Sequence, residues 1–111
     1  MTMFTIDPKP TFRATVPVPV PGQDAPASLV LVFRHLGKKA LRAWIDGAKD
    51  KKDADFLGAV VVDWDAVQDA QGQDVAFNAA AFEQLLDSYA TAGDAIFNAY
   101  LRELTEGRAK N

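Results

Sequence analysis

Ser28-Leu29-Val30-Leu31-Val32-Phe33 is a serine followed by five apolar residues, the most strand-like stretch of the 111-residue chain. Branched and aromatic side chains favour a pleated, half-buried surface, so the stretch reads as a β-strand. Upstream lies the only proline-rich part of the sequence. All six prolines (8, 10, 17, 19, 21 and 26) fall within the first 26 residues. Proline removes a backbone donor and holds its predecessor extended, so this quarter cannot be a long helix. Val16, Val18 and Val20 repeat at period two, and residues 11–20 read as an edge strand. Pro21-Gly22 is a turn signal, so the two strands are expected to pair through a loop at 21–27. Two strands alone are marginal and need a cover.

Downstream the apolar period changes from two to that of a helix. Ala40, Leu41, Trp44, Ile45 and Ala48 form one stripe, predicting a helix over 38–50. Phe56, Leu57, Val60, Val61 and Trp64 repeat that spacing, predicting a helix over 53–62, with a strand at 59–64 as the rival because three valines adjoin. Residues 65–76 are polar and carry Gly72, the mark of a surface loop with a small turn or hairpin. Asn78 then reads as an N-cap, with Phe77 and Phe82 at the spacing of a hydrophobic staple, for a helix over 79–89. Thr91 reads as a second cap for a helix to about residue 106, ended by Gly107. The expectation is one α+β domain over 1–111. It has an extended β-hairpin segment (1–36), a segment of about four short packed helices (37–106) and a frayed tail (107–111).

Composition narrows the chemistry. With no cysteine, disulfides, thiol catalysis and cysteine-ligated metals are excluded. No apolar run approaches the roughly 20 residues of a membrane span, and no signal peptide is visible. Residues 1–52 carry a charge of +5 and residues 53–111 one of −8. The acidic half disfavours nucleic acid. The basic stretch Arg34, Lys38, Lys39, Arg42, Lys49, Lys51 and Lys52 reads as a solvated face or a contact with an acidic partner. His35 is the only histidine and cannot by itself make a zinc site. Gly37-Lys38-Lys39 lacks the upstream glycine and the following Ser or Thr of a phosphate loop. Asp63, Asp65 and Asp69 could form a weak ion site, but Val67 and Gln68 stand where a calcium loop needs an oxygen ligand and a glycine. No cofactor and no catalytic set is expected.

A resemblance runs in order through nearly the whole chain. It lies in Phe4-Thr5-Ile6-Asp7-Pro8-Lys9-Pro10-Thr11-Phe12, in Phe33-Arg34-His35-Leu36-Gly37-Lys38-Lys39-Ala40-Leu41 and in Val62-Asp63-Trp64-Asp65-Ala66-Val67. Gly72, the run from Phe82 to Tyr89, Ala95-Ile96-Phe97-Asn98-Ala99-Tyr100 and Arg108-Ala109-Lys110-Asn111 continue it. These resemble the tail assembly chaperones of long-tailed bacteriophages. Ala66 and Ala90 depart from that pattern, which often has glycine and proline there. The resemblance implies a non-enzymatic helper in the host bacterial cytoplasm, absent from the mature virion. Its implied partners are the long, helical tape measure protein and the tail tube protein, with self-association left open and no nucleic acid or membrane. Short amphipathic helices can present a groove to a partner helix. The candidate groove residues are Trp44, Phe56, Trp64 and Tyr89, each of which could equally be core. A tail completion or head–tail connector protein, or a small ion-binding domain, are the alternatives.

Overall fold

The computed structural model describes residues 3–106. β1 (Thr11–Val18) and β2 (Ala27–Arg34) form the expected hairpin, antiparallel from Thr11 opposite Arg34 to Val18 opposite Ala27. Then come α1 (Lys38–Asp46), a 3₁₀ turn (Ala48–Asp50), α2 (Asp53–Gly58), β3 (Val61–Asp65), α3 (Ala79–Ser88) and α4 (Ala92–Thr105). β3 pairs antiparallel with β2, so the sheet order is β1-β2-β3. The fold is α+β, with four α-helices packed around a three-stranded sheet.

The third strand corrects the expected helix over 53–62. That helix stops at Gly58, and the rival reading of 59–64 as a strand holds from Val61. The helical spacing of Val61 and Trp64 has a local cause. Val61 faces Phe33 and Trp64 faces Leu31, so four residues on β3 span three on β2. The irregularity between Val32 and Phe33 leaves Val62 as the additional residue. Such a bulge lets two side chains three apart both point inward, which a regular strand forbids. The segment expected to hold about four helices therefore also contains a strand.

One sheet face, Ala14, Val16, Val18, Leu29, Leu31, Phe33 and Trp64, is buried against Leu57 of α2, Phe82 of α3 and Ile96, Ala99 and Tyr100 of α4. The buried positions alternate along β1 and β2, the period-two pattern of a sheet covered on one side. On the open face, Arg13 and Asp65 form an ion pair across the central strand, whose Val30 and Val32 are half-buried.

The other boundaries shift modestly. β1 ends at Val18 rather than 20, and α1 gives way at Gly47 to the 3₁₀ turn rather than running to residue 50. Asn78 caps α3 as expected, its Oδ1 accepting from the Ala81 amide at 2.8 Å. Phe77 and Phe82 meet at 5.6 Å between ring centroids, as a staple requires. Thr91 precedes α4 but makes no side-chain cap. The expected stop at Gly107 and the tail at 107–111 lie outside the described residues.

Candidate functional site

Trp44 and Phe56 stack nearly parallel, with ring centroids 4.1 Å apart. The Trp44 indole Nε1 donates to the Phe56 carbonyl at 2.8 Å. Phe97 touches both rings, and Tyr100 meets Trp44 edge-on at 5.3 Å. These contacts fasten α1 and α2 to α4. An indole that both stacks and donates to a carbonyl is held in one orientation. Trp44 is half-buried and Phe56 buried.

Trp64 occupies a second aromatic cluster. Phe77 stands edge-on to it at 5.1 Å, and its Nε1 donates to the Val75 carbonyl at 2.8 Å. That bond ties β3 to the loop before α3. The loop is the small hairpin foreseen at 65–76. Val75 N donates to Val67 O and Asp69 N to Gln73 O, and Gly72 turns the chain at φ +79°. The Asp69 carboxylate accepts from the amides of Gln71 and Gln73. Asp63 accepts from the Trp64 amide, and Asp65 faces Arg13. The three loop aspartates thus serve three separate local contacts. Among the described residues, no three acidic or histidine side chains gather as a metal-binding group.

Tyr89 is different. It follows α3 and is 36% exposed. The structure brings it beside Trp64 and away from the Trp44–Phe56 pair. Tyr89, Leu85 and Val67 are the wall shared by two adjoining clefts. One, of about 290 Å³, is completed by Trp64, Val75 and Ala81. The other, of about 180 Å³, is completed by Val18, Val20, Ala27 and Leu29 at the turn end of the hairpin. Gln68 and Ser88 supply polar edges. Such a surface can take apolar side chains and hydrogen-bond at its rim. Sequence reasoning named Tyr89 but missed Val20, Val67 and Leu85. Val20 had been placed in the strand. Leu85 stands four residues before Tyr89, about one helical turn away, and that spacing is the available signal.

A second apolar strip lies on α1. Ile45 is exposed and Leu41 half-buried, with Lys38, Arg42 and Asp46 around them. This places part of the basic stretch on a solvated helix face. Arg34 does something else. Its amide donates to Val60 O at 2.7 Å and its Nε to Ala59 O, while its carbonyl accepts from the Tyr100 hydroxyl at 2.7 Å. Burial pushes the Tyr100 phenol up to about 12, against the pull of the Arg34 charge in the opposite direction. Among the described residues no charged side chain is buried, and no helix is long and apolar enough to cross a membrane.

The family of phage tail assembly chaperones matches residues 1–111, the whole chain. This chain belongs to that family. No curated protein and no solved structure matches it. Family membership accounts for protein partners in tail assembly. It also bears on Ala66, where the resemblance leads one to expect glycine. Ala66 has φ +57°, a left-handed conformation that glycine adopts without the clash of a Cβ.

Proposed function

We propose that this tail assembly chaperone is non-enzymatic and binds the tape measure protein through the paired clefts at Tyr89. Binding occurs in the host cytoplasm, keeps the client soluble before tube subunits polymerise around it, and ends before the virion matures. The tail tube protein is the second partner in this reading. The observation that carries it is the exposed Tyr89 between two partly apolar clefts. A long helical client offers apolar anchors at helical spacing, and such anchors suit a groove walled by side chains. In this reading Trp64 contributes to one cleft, and Trp44 and Phe56 line neither of the two.

The test is co-expression with the tape measure protein of the same phage or prophage, followed by pull-down and a solubility assay. A stoichiometric complex that keeps the client soluble, and that Tyr89→Asp abolishes while the variant stays folded, is the expected result. A client equally insoluble with and without the folded chaperone would overturn the reading. Purified particles should lack the protein, and its retention there would indicate a connector instead.

A further inference from the structure

Five large apolar side chains are exposed among the described residues. Met3, Phe4 and Ile6 lie in the arm before β1, Tyr89 lies at the clefts, and Ile45 lies on α1. α1 is nine residues long and has no buried residue. A segment of that length does not hold a helix by itself. Trp44 pins it to the body, with Leu41 packed partly beside it. Leu41 and Ile45 stand one turn apart, and Lys38 and Arg42 stand one turn apart on the adjacent row.

The charges of α1 work against the helix itself. Lys38 and Lys39 occupy its first turn, at the positive end of the helix dipole, with no acidic residue there. Gly37 supplies no side-chain cap, and Asp46 stands at the negative end. Among the described residues, Lys38, Lys39 and Arg42 form no ion pair. Local choices that oppose their own element are expected where a site serves something else. Residues 34–52 as a whole carry seven cations against two carboxylates, a charge of +5.

We propose that this face of α1 docks an acidic amphipathic helix of a protein partner. The partner's apolar side chains rest on Leu41 and Ile45, and its carboxylates meet Lys38 and Arg42. Those carboxylates also offset the opposed charge at the start of α1, so binding firms the helix. A second α1 would bring the same positive charge. A nucleic acid would use the cations, leave the apolar strip idle, and meet the −8 of residues 53–111. The strip shares no lining residue with the Tyr89 clefts, and the inference stands without the client reading.

The probe is a dye-labelled helical peptide about three heptads long, with leucine along one face and glutamate beside it. A twin carries lysine for glutamate. Fluorescence anisotropy should show the acidic peptide binding at about 0.05 M salt and weakening sharply by about 0.5 M. K38E/R42E should weaken it about fivefold or more, as the loss of two surface pairs requires, and should tighten binding of the lysine twin. The same charge change at Lys51 and Lys52 should cost less. Ile45→Ser should weaken the acidic peptide about tenfold. Every variant should keep the circular dichroism spectrum of the wild type. Hydrogen exchange of the α1 amides should slow on binding.

No binding at low salt, an equal effect of K38E/R42E and K51E/K52E, or no effect of Ile45→Ser would each overturn the proposal. Loss of the peptide in Tyr89→Asp would place it in the clefts instead. Self-association that K38E/R42E abolishes would make the chain's own acidic half the occupant. A short DNA duplex or phosphatidylglycerol vesicles binding through Lys38 and Arg42, with no capture of the acidic peptide, would replace the protein partner. Each of these three results also overturns the proposal.

Discussion

Replacing Tyr100 with phenylalanine should make the protein less stable at neutral pH and more stable than wild type in strong alkali. Tyr100 is fully buried, stacked on Phe33 at 4.9 Å, and its hydroxyl donates to the Arg34 carbonyl at 2.7 Å. Removing only the hydroxyl keeps the ring packing. It leaves a carbonyl short of one donor, a loss of about 1 kcal/mol. Alkali acts in the opposite sense. The phenol is pushed up to about 12 in the fold, against about 10 in the unfolded chain. A group whose folded pKa is raised contributes stability that is complete below the unfolded value and is lost as pH rises through the folded one. The wild type should therefore lose about 1.4 kcal/mol by pH 11 and about 2.3 kcal/mol by pH 12 from this group.

Tyr100→Phe has no such group at this position. The two stability curves should cross just below about pH 11, where the accumulating alkaline loss equals the missing hydrogen bond. Urea denaturation at a series of pH values measures this directly. Comparing the two proteins cancels the titration of every lysine and of Tyr89. A difference that stays constant from neutral pH to the alkaline limit would refute the account of Tyr100 as a buried, neutral donor.

Five other substitutions probe the remaining features. Ala66→Gly should relieve a left-handed alanine worth about 1–2 kcal/mol, against about 0.4–1 kcal/mol for a freer unfolded chain, for a net gain in midpoint of thermal or urea unfolding. Asn78→Ala should cost about 1 kcal/mol through the lost cap, whereas Thr91→Ala should stay within about 0.5 kcal/mol because Thr91 caps nothing. Tyr89→Asp should leave unfolding nearly unchanged and abolish client capture, while Trp64→Phe should cost about 1–3 kcal/mol of stability by orphaning the Val75 carbonyl.

The hairpin, the four helix starts and the Asn78 cap were legible because each depends on local chemistry: prolines, a change of period, a capping side chain. β3 was only half legible. Val60, Val61 and Trp64 follow helical spacing because the bulge at Val62 inserts a residue, and a bulge is imposed by the neighbouring strand, not announced by its own sequence. The valine run was the competing signal, and it prevailed once β2 offered a partner. Ala66, just after the strand, adopts a left-handed conformation that interrupts regular extended structure. The candidate site was less legible. An apolar stripe does not say which of its residues face inward, so Trp44, Phe56, Trp64 and Tyr89 looked alike. Only the contacts distinguish two indoles bonded to carbonyls from a tyrosine left at the rim.

How the sheet is finished bears on what kind of client contact is available. Its two edges are β1 and β3. An open edge is a template for adding any extended chain. β1 carries Pro17 near its end, which removes a donor, and β3 is five residues long, bulged and tipped with Asp63 and Asp65. Short length, a bulge and inward or flanking charge are the features that discourage strand addition. The open sheet face carries an ion pair across its centre rather than a continuous apolar patch. Exposed apolar area is thus withdrawn from the backbone edges. It is concentrated where side chains build walls, at Tyr89, at the Leu41–Ile45 strip and on the arm. A chaperone that met its client by strand addition would accept almost any extended segment, including misfolded neighbours. One that meets it through side-chain clefts requires anchors of the right size at the right spacing, and that requirement is a source of selectivity the sheet edges do not offer.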